Sequence, residues 1–442
     1  MAHREDSKFY KFDNGSDVVL DIGIVGAGIA GLTAAATLSR LGHHVDVYER
    51  SSFANEIGAA INVGPNAMHV LRAFDFDVVR ARFLKVQEGL QVNGHTLETT
   101  HSLTYEDYER KFHVPWYFSH RVDLHNELKR LALNGSDGFP GAKLHLAKPL
   151  VDVDCENGVL KFEDGSIVRK DVIVGADGVH SVVAQCVLGA EIPASAVGEG
   201  AFRFLIPTEK LLKNPITKPL FQDEKVTSHI AAVSDRRIVY YPCRNGEVQN
   251  FVGLHPVQVD RKEEEIEIRK DWQAGGSIQD LLDTFAEFHP ALVEVCRNAE
   301  DLKLWKLFSR APISKWTKGK VIIVGDAVHP MLPHQGQAGN QAIEDAGALG
   351  VCLSDIRRRE DIPLRLELVQ NIRRERAAAM QIFSNAGQDQ SERIQKEAQL
   401  YVKGPIPKNR TEFHQWNFAY DVLTESVEAL AAITSSEPGI PS

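Results

Sequence analysis

Hydrophobic and polar positions change their period along the chain. In residues 17–50, DVVLDIGIVGAGIAGLTAAATLSRLGHHVDVYER, an apolar run breaks at glycines, resumes with helical spacing, and ends in a second alternating run. The pattern predicts strand, glycine turn, helix and strand, a βαβ unit. From about 190 to 310 the texture shifts to β-branched and aromatic runs, AFRFLIP, SHIAAVS, RRIVYYPC and QNFVGLH, separated by turn residues. That alternation predicts a mainly antiparallel sheet with one face toward a core. Beyond residue 340 the spacing is helical almost throughout, as in LRLELVQNIRRERAAAMQIFSNAGQ and WNFAYDVLTESVEALAAI. Residues 1–17, polar and without an apolar run, read as a disordered tail.

Three blocks punctuate this pattern. Gly26-Ala27-Gly28-Ile29-Ala30-Gly31 is a G-x-G-x-x-G where strand meets helix. There Gly26 makes the tight turn, Gly28 admits a pyrophosphate without a Cβ in the way, and Gly31 lets the helix lie close to the sheet. Glu49, about twenty residues on, closes the next strand where an acid accepts ribose hydroxyls, with Arg50 beside it. The second block, DVIVGADGVHSVV (171–183), ends a strand in Gly-Ala-Asp-Gly. The third, VIIVGDAVHPMLPHQGQAGNQAIEDAGALG (321–350), runs from a strand through glycines and prolines into an alanine-rich helix. Such a turn aims backbone N–H groups and a helix dipole at whatever lies beyond the strand.

Composition narrows the partners. The 442 residues exceed one core's worth, so two or three are expected. A formal charge of −10 and no clustered basic surface argue against nucleic acid; IRRRE at 356–360 is a solvated helix face. Five scattered cysteines without a C-x-x-C suit a reducing compartment and fit no zinc or disulfide framework. No run reaches the ~18 apolar residues of a membrane span, and the N-terminus has no signal-like apolar segment. A cytoplasmic protein is expected.

Fingerprint, GADG block and GD block, in this order over residues 18–380, resemble the single-component flavoprotein aromatic hydroxylases, the group A FAD monooxygenases of the p-hydroxybenzoate and salicylate hydroxylase type. The resemblance implies an α/β fold: a discontinuous Rossmann-type FAD-binding domain (18–85, 112–188, 311–380), an inserted, mainly antiparallel β-sheet substrate domain (86–111, 189–310), and C-terminal helices (381–442). By the same resemblance Asp326 binds the ribityl chain of FAD, and Gly336, Ala338, Gly339 and Asn340 set backbone N–H groups at the flavin's pyrimidine edge. Asp177 serves FAD and NAD(P)H, Arg121 reaches the phosphates, and the segment around Ala60 (58–71) borders the moving isoalloxazine. The chain departs from the common family pattern at Ala60, at Ala184 and in the glycine order of GQAGN.

The implied reaction is hydroxylation of a phenolic or aromatic acid small molecule with O2 and NADH or NADPH, through a flavin C4a-hydroperoxide, in a monomer or homodimer. A biosynthetic oxygenase that dearomatises a polyketide phenol or epoxidises an indole is the alternative, and a non-hydroxylating FAD oxidase or reductase a third. Candidate substrate residues come from the middle sheet. Arg203 is charged within an apolar strand and suits a carboxylate or phenolate. Tyr240 and Tyr241 are adjacent, so one faces the pocket. His334, beyond Pro333, is a candidate base, while His329 at the other end of its loop has no assigned role.

Overall fold

A computed structural model describes residues 10–12, 18–52, 59–135, 138–257, 274–385 and 391–435. The apolar runs around the glycine blocks form a six-stranded sheet in the order Thr317–Lys318, Val321–Ile323, Val172–Gly175, Asp21–Val25, His44–Tyr48 and Lys143–His145. Its strands run parallel apart from the first pair, and burial on both faces explains why they read as unbroken apolar stretches. Register places Ile22 beside Val172 and Ile173 beside Val321, which brings the three glycine blocks to the carboxyl ends of neighbouring strands.

The helix Ile29–Arg40 is buried from Ile29 to Ser39, packed between the sheet and the helix Ala338–Leu353. Its polar members are satisfied internally: Thr33 Oγ1 donates to Ile29 O at 2.7 Å and Ser39 Oγ to Ala35 O at 2.6 Å. Phe12, inside the segment expected to be a disordered tail, is 6% exposed. A Cβ on Gly350 would come within 2.6 Å of its ring, so Phe12 sits on the glycine surface of that helix. The aromatic residues Tyr10 and Phe12 outweigh the polar composition around them; residues 1–9 and 13–17 lie outside the described residues.

The second sheet has eight strands: Ala274–Gly275, Glu300–Ser309, Ser195–Pro207, Val248–Pro256, Arg236–Cys243, Thr227–Val233, Glu88–Asn93 and Thr99–Thr104. All neighbours are antiparallel except Thr227–Val233 with Glu88–Asn93. Strand alternation gives it two different faces. Phe202, Phe204, Ile206, Tyr240 and Phe251 pack with Phe285 and Leu292, which belongs to the helix Pro290–Arg297, in one core. Ala201, Arg203, Val252, Leu254 and Tyr241 do not join that core. The expected boundary at residues 380 and 381 falls inside one continuous helix, Ile362–Asn385, because buried Met380, Ile382 and Phe383 extend its apolar stripe. Among the described residues no helix is long and apolar enough to cross a membrane.

Candidate active site

A cavity of about 1030 Å³ lies between the glycine blocks and the open face of the eight-stranded sheet. At one end Gly28 and Ala30 form its wall. The fingerprint glycines divide their work by geometry. Gly26 has φ +102° and a Cβ there would lie 2.3 Å from Ala176 O; one on Gly31 would lie 2.0 Å from Gly26 O. A Cβ on Gly28 would meet no protein atom within 4 Å, so its surface is open to a ligand. Glu49 and Arg50 stand outside the cavity wall: the Glu49 carboxylate accepts from Ala27 N at 2.8 Å and Ser51 N at 2.9 Å, and Arg50 is exposed. Arg121, first in the helix Arg121–Asn134, and Ala60 line the cavity. Gly58 is outside the described residues.

Asp326 lines the cavity from the short 3-10 turn Gly325–Ala327 and is exposed there. It opposes the downward push of burial on the Arg310 guanidinium. Asp177 does something else. Its carboxylate accepts from Ser181 Oγ and from Val182 N and Val183 N (2.8 and 3.2 Å), anchoring the start of the helix Val182–Leu188. Burial raises its pKa despite these bonds, and the cavity meets Ala176, Gly178 and Val179 around it. An aspartate preceding a short helix is engaged by the orphan N–H groups before any ligand arrives.

Beyond Pro333 the chain turns at Gly336, φ +59°, where a Cβ would lie 2.0 Å from Asn62 Nδ2. Gly336, Ala338 and Gly339 line the cavity at the N-terminus of the helix Ala338–Leu353. Asn340 is buried instead: it accepts from Gly64 N (2.7 Å) and donates to Gly336 O (3.0 Å) and Asn62 O (3.1 Å), buckling the turn to the strand Ala60–Val63. Beneath lies a fully buried ionic cluster. Asp345 accepts from Gly325 N, His329 Nε2 and Arg373 Nε at 2.9, 2.6 and 2.9 Å, and Glu344 from Arg376 Nε and Nη2 at 2.7 and 2.8 Å. Burial alone raises both carboxyls, but their cationic partners hold them below the ordinary range. His329 therefore serves the turn's foundation, not the cavity.

On the sheet side, Arg203 lines the cavity with its guanidinium 4.2 Å from the Trp305 ring. Among the described residues it forms no hydrogen bond or ion pair. Burial lowers its pKa to about 10, which leaves it cationic at neutral pH. Tyr241 lines the same wall, its ring 4.5 Å from Phe118, and burial pushes its phenol up. Tyr240 is not part of the site. It points to the opposite face, stacked on His229 at 4.5 Å within the sheet's own core, as period-2 alternation requires once Tyr241 faces inward. His334 lines the cavity with Nε2 2.9 Å from Glu199 Oε2, and His334 holds the Glu199 carboxyl below its ordinary range.

The sequence reading missed the fourth wall. The helix Arg410–Phe418 contributes Arg410, Phe413, His414 and Phe418, facing Trp116. The signal was present as Arg410, His414 and Phe418 at four-residue spacing. Among the described residues no cluster suits a metal ion.

The open surface of Gly28, the exposed carboxylate of Asp326 and the helix N-terminus at Ala338 share one cavity, and that combination of acceptor and N–H donors fits a dinucleotide with a polar ring edge. Residues 19–384 match the family described as FAD binding domain. The FAD-dependent monooxygenase phomE' of Diaporthe leptostromiformis is 36% identical over 88% of this chain and 98% of the relative. Hispidin-3-hydroxylase of Neonothopanus nambi is 30% identical over 94% and 97%. A solved salicylate hydroxylase substrate complex superposes with a TM-score of 0.70 at 22% identity, covering 94% of this chain and 98% of that one. The chain belongs to the FAD-binding-domain family. Within it, it is an FAD-dependent monooxygenase of the aromatic hydroxylase group.

Proposed function

We propose that the protein hydroxylates an electron-rich phenol held between the open sheet face and the glycine turn, with NADH or NADPH as donor and O2 as co-substrate. The observation that carries this is Arg203: a guanidinium stacked on Trp305, without a hydrogen-bond partner among the described residues, in the cavity wall beside Tyr241. A desolvated cation in that position favours the phenolate over the phenol, and a phenolate ring is the better nucleophile toward an electrophilic oxygen. Gly28, Ala30, Arg121, Asp326, Ala338 and Gly339 would hold FAD along the floor. When bound, FAD accepts the reducing equivalents and activates O2 for insertion of one oxygen atom.

The protein's own contribution is charge, position and dryness. Arg203 and the Tyr241 hydroxyl orient the phenolic oxygen; Val252, Leu254 and Leu332 keep water from the reacting ring. The helix dipole behind Ala338 favours negative charge at the cavity floor. We assign His334, which contacts Glu199 at 2.9 Å, the role of base for the phenolic proton. All five cysteines are free, which suits a reducing, cytoplasmic setting.

Oxidation of NADH and of NADPH by the yellow protein, measured against salicylates, hydroxybenzoates, resorcinols and indoles with product masses, tests the proposal. Stimulation by phenols with products one oxygen heavier supports it. CO2 release would identify attack at a carboxyl-bearing carbon, and NAD(P)H oxidation stimulated by indoles alone would refute the phenol reading.

A further inference from the structure

The helix Arg410–Phe418 is fixed from both sides. Behind it, Arg376 donates to Asn417 O (3.1 Å) and Asn417 Oδ1 (3.0 Å) while also pairing with buried Glu344, and its guanidinium lies 4.0 Å from the Tyr420 ring. In front, Tyr108 Oη and His414 Nδ1 are 2.7 Å apart, and Phe418 packs against Trp116 at 5.1 Å. Asn409 caps the helix by accepting from Glu412 N at 2.9 Å. Four-residue spacing puts Arg410, His414 and Phe418 on one face, and these three, with Phe413, line the cavity. The face therefore offers aromatic walls with a cation and an imidazole, on a different element from the sheet that carries Arg203 and Tyr241. A one-ring phenol anchored by Arg203 has no use for a second polar, aromatic-walled end.

We infer that this helix is the specificity wall of the enzyme: its substrates are phenols extended by an aryl or conjugated arm, which lies against Trp116 and Phe413 and ends in a hydroxyl or carboxylate read by Arg410 and His414. The inference rests on the reading of Arg203 and Tyr241 as the anchor of the reacting ring, and it deepens that reading to a substrate class. Aromatic stacking and a paired polar terminus each add to affinity only when the arm is present.

The test is a set of matched pairs, resorcinol with resveratrol and salicylate with 4-(4-hydroxyphenyl)salicylate, titrated against the FAD-loaded protein by tryptophan quenching, with NAD(P)H oxidation measured in parallel. The extended member is expected to bind at least about tenfold tighter. Phe413→Ala and Arg410→Gln should each remove most of that preference. FAD content per chain reports folding; should Phe413→Ala lose FAD, Arg410→Gln at an exposed position carries the test. Equal affinity within every pair, or a preference that both variants leave intact, overturns the inference. Tighter binding of extended phenols without NAD(P)H oxidation would refute hydroxylation and leave the specificity wall standing; oxidation without pairwise preference would do the reverse.

Discussion

Arg203 and Tyr240 stand on strands separated by one in the same sheet but on opposite faces of it, and the difference is testable. Arg203→Gln removes a charge-assisted contact of about 1.5–3 kcal/mol to a phenolate, so kcat/KM should fall about 10- to 150-fold with FAD content unchanged. Arg203→Lys should not restore it, because the ammonium neither stacks on Trp305 nor presents a planar fork. Tyr240→Phe, on the core side, should leave kcat/KM within about twofold of the parent. Steady-state kinetics on the three variants decides this; a larger loss for Tyr240→Phe than for Arg203→Gln would contradict the assignment of faces. The sequence showed that Arg203 was out of place in its strand. It did not show which tyrosine turns inward, since neighbours in a strand are equivalent until one contact, here Tyr241 with Phe118, sets the register.

The glycine elements were the most legible in advance, because Gly26 and Gly31 answer steric demands of the fold that a side chain would violate, while Gly28 leaves an open surface. That leads to a paired prediction. Gly28→Ala adds a methyl that meets no protein atom within 4 Å, so the apoprotein should fold with an unchanged melting temperature while FAD affinity drops. Gly31→Ala drives a methyl to 2.0 Å from Gly26 O and should destabilise the fold itself. Thermal denaturation with flavin titration separates the two; equal melting losses would mean that Gly28 is structural. Less legible were Asp177, Asn340 and the helix Arg410–Phe418. A carboxylate or carboxamide beside a turn satisfies backbone groups as readily as a ligand. A helix far along the chain is held at the cavity by Arg376 with the buried Glu344 and by Tyr108 and Trp116, long-range contacts no local pattern announces.

For the whole molecule, burial lowers the pKa of His43, His120, His229 and His414 to about 4 each. Between pH 6.5 and 4 the unfolded chain binds protons that the folded chain does not, so ∂ΔG/∂pH is positive there. Stability should be full above pH 6.5, fall steadily toward pH 4, and level off for these groups below it. Replacing His229 by Phe, which keeps the stack on Tyr240, should reduce the slope of unfolding free energy near pH 5 by about one proton, about 1.4 kcal/mol per pH unit. Denaturant titrations at pH 5 and pH 6 check this, and an unchanged slope would mean that His229 titrates normally when folded. On the same scale, the two sheets enclose one cavity between them, which is why the fold class could be read from three separated glycine blocks while the cavity's extent could not.

The most direct test of phenol hydroxylation is a single turnover of the FAD-loaded protein with NAD(P)H and a stimulating phenol under isotopically heavy oxygen gas. One heavy oxygen atom in the aromatic product is expected for each NAD(P)H consumed, with the product formed more slowly in Arg203→Gln. NAD(P)H consumed with the phenol returned unlabelled and only hydrogen peroxide formed would contradict it.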